Sequence, residues 1–229
     1  MRRIALIFAV IVLMRACPAG AQGVGAPPDV ATACRDAVAN FMTALETGDA
    51  EALRLYIHTD RRVAAQQMGV GALIDCVVSQ RDLERAMTRK WGQSPATQIA
   101  GPVTFSKEER AAVAKAEVQT EGANDALLVL SPSVAPVALH RSRMERRWRI
   151  RLATISGLYD GFEHSPSASS FKRIKHLQTV AEALQVAKRQ VEQETLTNPA
   201  DTRAAIQKMV EAAVRKSHSP HDPRMGPPQ

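Results

Sequence analysis

Between residues 29 and 91, apolar side chains recur every three or four positions, which is the period of a helix with one buried face. Val30, Cys34, Ala37, Phe41 and Leu45 make the first stripe, with Asp29 placed as an N-cap and Gly48 as the stop. Asp49 then caps a short helix over 50–57 that turns Leu53 and Ile57 inward. A longer helical stretch opens at Asp60 and runs to Trp91, carried by Ile74, Val77, Val78, Leu83 and Met87. Gly69 and Gly71 are the places where it would bend or break.

After Gly92 the period shortens. Pro95, Pro102, Pro132 and Pro136 punctuate short segments rich in β-branched and alternating residues, giving candidate strands at 103–105, 113–120, 126–130, 134–142 and 147–154. Ser106-Lys107-Glu108-Glu109 reads as a capping box, so a helical turn is expected before the second strand. Residues 143–146 would turn a final hairpin, whose second arm sends Trp148, Ile150 and Leu152 one way and Arg147, Arg149 and Arg151 the other. Residues 158–169 form a linker with Pro166 and several serines. Over 170–216 the helical period returns, with Ile174, Leu177, Ala181, Leu184 and Val191 on one stripe and Ile206, Met209, Val210 and Ala213 on another. Asn198-Pro199 breaks the two apart and supplies an N-cap and N1, so a helical hairpin extension is expected. The tail 217–229 carries four prolines and no apolar face, and is expected to be disordered.

The start of the chain concerns its destination. Arg2 and Arg3, the apolar run 4–14 and Ala19-Gly20-Ala21 make a basic region, a hydrophobic region and a cleavage site, so residues 1–21 read as a signal peptide and 22–28 as a flexible leader. The apolar run is too short to span a bilayer, and no transmembrane segment is expected in the mature chain. Acylation at Cys17 is the alternative, but Arg15 fits a lipid-attachment site poorly. An exported protein, periplasmic or extracellular, follows. Cleavage removes three arginines and no acid, leaving 27 basic against 23 acidic residues. That balance does not call for nucleic acid as a partner. Aromatic residues are scarce, with two Trp, two Tyr and five Phe, too few for a stacking surface. Cys34 and Cys76 remain, either as a disulfide between two helices or as two buried thiols.

Ala37-Val38-Ala39-Asn40-Phe41, followed by Ala44-Leu45-Glu46-Thr47-Gly48-Asp49-Ala50-Glu51-Ala52-Leu53, resembles the opening of the nuclear transport factor two-like superfamily. Arg147-Trp148-Arg149-Ile150-Arg151-Leu152 resembles its closing strand. The resemblance covers about residues 29–157 and implies an α+β fold: N-terminal helices wrapped by a curved antiparallel sheet as a cone-like roll, often around a pocket. The superfamily holds isomerases and hydrolases that work through a carboxylate in an apolar cone, and many non-enzymatic members.

Candidate chemistry is sparse. Tyr56, His58 and Asp60 lie where a cone pocket could open, as donor, base and acid, although a capped helix-to-helix turn also accounts for them. Asp75 falls beside Cys76, where burial would make it a base and exposure would make it ordinary. Arg147, Arg149 and Arg151 could bind an anion, or could line an outer sheet face paired with Glu182, Glu192 and Glu194. His218, His221 and Asp222 have a metal-like spacing but sit in the Pro-rich tail, so no metal and no cofactor is expected. No G-x-S-x-G, H-E-x-x-H, phosphate-binding loop or dinucleotide fingerprint occurs, and no catalytic residue is assigned. The leading expectation is a non-enzymatic binding or interaction module, with a homodimer or a small apolar ligand as partner. An isomerase or hydrolase of the cone type and an envelope polyanion binder are the alternatives.

Overall fold

The computed structural model describes residues 24–59, 64–92, 97, 105–131, 136–141, 146–151 and 168–217. The expected signal peptide, Asp60, residues 158–167 and the tail from 218 lie outside them.

Helix α1 spans Pro28–Thr47. Its N-cap is Pro27, in an extended conformation without a side-chain hydrogen bond, and Pro28 supplies the first turn. Asp29 therefore sits inside the helix and not at its cap, where its charge still complements the helix dipole. The helix ends at Gly48, which adopts a left-handed conformation at φ 64°. Asp49 follows as the N-cap of α2, Ala50–Tyr56, accepting hydrogen bonds from the backbone N–H groups of Glu51 and Ala52 at 3.0 Å each. Helix α3, Ala64–Trp91, runs unbroken through Gly69 and Gly71. Burial of Val70, Ala72, Leu73 and Ile74 outweighs the small propensity cost of glycine there.

Arg81 and Arg85 of α3 donate to the carbonyls of Leu45 and Thr47 at the end of α1. Arg81 also lies against Gly48, where an added Cβ would stand 2.8 Å from Arg81 Cβ. Gly48→Ala meets both a left-handed backbone and that contact, and is expected to lose about 1–2 kcal/mol of stability. A urea melt checks this, and an unchanged midpoint would show that the tight corner is not held.

Ser106 caps α4, Lys107–Lys115, through a complete capping box with Glu109. The helix extends well past one turn, and the strand expected from 113 begins only at Glu117. The run Glu108 to Lys115 is rich in good helix formers, and Val113 alone among its residues needs burial. Phe105, the one described residue of the first expected strand, is not in a strand. Its N–H donates to Glu46 at 2.7 Å, and Arg110 pairs with the same carboxylate, tying α4 to α1.

Strands β3 (Glu117–Thr120), β4 (Asp125–Val129), β5 (Val137–Arg141) and β6 (Trp148–Arg151) form an antiparallel meander close to the expected segments. Two short edge strands were not foreseen. β1 (Val24–Gly25) pairs antiparallel with β3, and β2 (Ile57–His58) pairs parallel with β6. The order is β1-β3-β4-β5-β6-β2. The fold is thus mixed α+β and predominantly helical.

Two apolar clusters result. One lies between α1 and the inner face of the sheet, with Val38 and Met42 against Val118, Leu128, Leu139, Trp148 and Ile150. The other is helical, joining α3 to α5 (Ala168–Glu192) and α6 (Pro199–Ser217). Ile174, Leu177, Leu184 and Val191 are all buried there, as are Ile206 and Val210. Gln185 donates to Ser79 at 3.2 Å, and Lys90 to the carbonyl of Val191 at 3.0 Å, so α3 and α5 run in the same direction.

The same division separates the cysteines. Cys34 points into the sheet cluster and Cys76 into the helical one, and both are free, buried thiols. The candidate disulfide is therefore absent. Burial pushes each thiol up to about 12, so both stay protonated and unreactive.

Candidate functional site

Alternation along the strands sorts side chains between two faces. Ile57, Ala126, Leu128, Val137, Leu139, Trp148 and Ile150 are buried on the inner face. The residues between them point outward: His58 on β2, Asp125 and Leu127 on β4, Ala138 and His140 on β5, Arg149 and Arg151 on β6. The register brings the polar ones of this set together. His58 stands beside Arg151 across the parallel pair, His140 beside Arg149, and Asp125 beside His140.

Asp125 is the centre of the group. His140 Nδ1 lies 2.8 Å from Asp125 Oδ1, and Arg151 donates to the same oxygen. Burial works against the Asp125 carboxylate, but the His140 hydrogen bond and the Arg151 guanidinium outweigh it and hold the carboxyl below its ordinary value. With Nδ1 engaged by Asp125, the second ring nitrogen of His140, Nε2, is turned away from that contact. The His58 ring lies against that of His140, with centroids 4.3 Å apart and planes tilted by 42°. His140, Asp125 and Arg151 keep 27%, 31% and 45% of their side-chain surface in solvent, enough for a ligand to reach them.

The trio Tyr56, His58 and Asp60 is not brought together among the described residues. Tyr56 packs against the cluster beneath the sheet, His58 faces the other side, and Asp60 lies outside the described residues. The three arginines do share the outer phase of β6 and its approach: Arg147 and Arg151 are exposed and Arg149 is half-buried. Of the acids expected to pair with them, Glu182 is exposed and the other two face other partners. Glu192 faces Arg89 and Lys188, and Glu194 faces Lys90. Arg141 belongs to the inner face, its guanidinium 6.0 Å from the centre of the Trp148 ring. Asp75 is exposed. The tail residues His218, His221 and Asp222 lie outside the described residues.

Sequence reasoning missed Asp125 and His140. Asp125 follows Gly122-Ala123-Asn124 and reads as a turn residue, while His140 is one polar position in an apolar strand. The only signal was their outward phase in the alternation, and their pairing depends on the register. Among the described residues no group of three or more His, Cys, Asp or Glu is placed to hold a metal ion. The same residues include no helix long and apolar enough to cross a membrane. What the arrangement can do chemically is present guanidinium and imidazole groups to an anion, beside the Asp125 carboxylate that engages His140 and Arg151. Compared with family models, curated proteins and solved structures, the chain matches none.

Proposed function

We propose that the chain is an exported, non-enzymatic binding module of the nuclear transport factor two-like kind, a cone-like roll with a C-terminal helical hairpin. In this reading its ligand surface is the outer face of the sheet, and the ligands are anionic. One contrast carries the proposal. The space between α1 and the sheet is filled by apolar side chains, and the buried polar residues among those described are Ser79, Gln80, Thr97 and Thr202, none of them an acid. A cone enzyme of the isomerase type needs a carboxylate in that space. The outer face instead gathers His58, His140, Arg149 and Arg151 around Asp125, with Arg147 beside them. Arginines at successive outward positions suit oxyanion groups spaced along a polymer.

The test uses residues 22–229 and a heparin-derived oligosaccharide as a sulfated probe. The protein is expected to bind at low salt and to weaken steeply as salt screens the contacts. The double variant R147Q/R151Q is expected to bind at least about tenfold more weakly, the loss of two charge-assisted contacts. Equal binding by the two proteins would overturn the reading. Fractionation of expressing cells tests export, and retention of residues 1–21 in the cytoplasm would contradict it.

A further inference from the structure

On the outer face of the sheet the charges are sorted by strand. β3 brings Glu117 and, one step past its end, Glu121, both exposed. Glu121 stands opposite Asp125 of β4, its N–H donating to the Asp125 carbonyl at 2.8 Å, so three carboxylates share this side of the face. β5 runs between the two sides and turns Ala138 and His140 outward. On the far side, Arg149 of β6 and His58 of β2 already have partners. Arg147 and Arg151 are the guanidiniums there that are exposed to an incoming ligand.

Neighbouring strands lie about 4.8 Å apart, so β3 and β6 are separated by roughly 14 Å. Charges that far apart are largely screened at physiological salt, where the Debye length is about 8 Å. Glu117 and Glu121 thus neither neutralise Arg147 nor repel an anion that stays over β6. Along the strand itself, Arg147 and Arg151 stand four residues apart, about 13 Å. Asp125 accepts from Arg151 and steadies its guanidinium, while 45% of that side chain stays in solvent. An anionic chain laid parallel to β6 reaches both guanidiniums and keeps clear of the β3 carboxylates. A flat anionic surface broad enough to touch the same pair also lies over β3, and there its charges meet Glu117 and Glu121.

Resting on the reading that this face is the ligand surface, we infer that its ligand is a single linear polyanion lying along β6, and that Glu117 and Glu121 are specificity-determining residues that turn away a broad anionic surface such as a phospholipid bilayer. The arginines supply the attraction. The acids on β3 set the width of what the arginines can hold.

Two probes are compared for residues 22–229 at an ionic strength of about 0.15 M. One is a heparin-derived octasaccharide. The other is a vesicle of phosphatidylcholine with phosphatidylglycerol at three parts in ten. Per anionic group, the parent protein is expected to bind the vesicle at least about tenfold more weakly than the octasaccharide. E117Q/E121Q should gain at least about fivefold toward the vesicle, since two repelling charges are gone, and no more than about twofold toward the octasaccharide. Inorganic sulfate, which cannot span the two arginines, should compete poorly at equal concentration of anionic groups.

No binding of the octasaccharide overturns both the inference and the reading beneath it. Vesicle binding by the parent as tight as octasaccharide binding overturns the inference and leaves the anion-binding reading standing. So does an E117Q/E121Q protein that binds vesicles no better than the parent, or that gains equally toward both probes. Sulfate competing as well as the octasaccharide overturns the linear-chain assignment. If the double variant does not fold, E121Q takes its place with an expected gain toward vesicles of at least about twofold, and the absence of that gain overturns the inference.

Discussion

Deleting residues 168–229 is expected to leave a chain that no longer unfolds cooperatively and that associates in solution. The reason is that α5 and α6 share a core with α3. Ile174, Leu177, Val180, Leu184, Val191, Ile206 and Val210 are each no more than 8% exposed, and they pack in one cluster with Ile74, Val77, Leu83 and Met87 of α3. Burying a side chain of this size contributes roughly 1.5–3 kcal/mol. Several of them together exceed the ~5–15 kcal/mol net stability of an ordinary domain. The loss also strips Ser79 of its partner Gln185 and leaves Lys90 without the Val191 carbonyl. Circular dichroism melts and light scattering of the truncated and full-length chains check this. A truncated chain that stays monomeric and melts at the same temperature would show that α5 and α6 form a unit independent of α3.

Leu128→Ala and Leu127→Ala should differ by several-fold in cost although they are the same substitution at neighbouring positions. Leu128 is fully buried, flanked by Val118 on β3 and Val137 on β5, and packs beneath α1. Truncating it leaves a cavity in a filled layer, at about 2–5 kcal/mol. Leu127 pairs with Gln119 and Ala138 on the outer face and is only half-buried. Its truncation should cost about 1 kcal/mol or less. Urea melts of both variants provide the comparison. A reversed order would mean that β4 is displaced by one residue, since a single-residue slip exchanges the two faces of a strand. The same slip would turn Asp125 inward and abolish the polar cluster, so this pair of variants also tests the geometry of the proposed ligand surface.

The sequence by itself determined the elements whose signals are local. Asp49 caps α2, Gly48 ends α1, Ser106 and Glu109 box the start of α4, and Asn198-Pro199 separates α5 from α6. Each depends on residues a few positions apart, which a helix period or a cap reads directly. The alternation of Trp148 and Ile150 with the β6 arginines was legible for the same reason.

Tertiary structure alone decided the rest. β1 and β2 are two residues long, too short to carry a period, and exist because β3 and β6 offer them partners. The reach of α4 depended on how little of it needed burial. Cys34 and Cys76 both lay on apolar stripes, and only packing could send them into different clusters. His140 meets Asp125 across 15 positions of chain and Arg151 meets it across 26, because two antiparallel ladders set the register. Local periodicity says which face of a strand a side chain takes, whereas the neighbour it finds there is chosen by strand pairing over long loops, whose closure leaves no pattern within either strand.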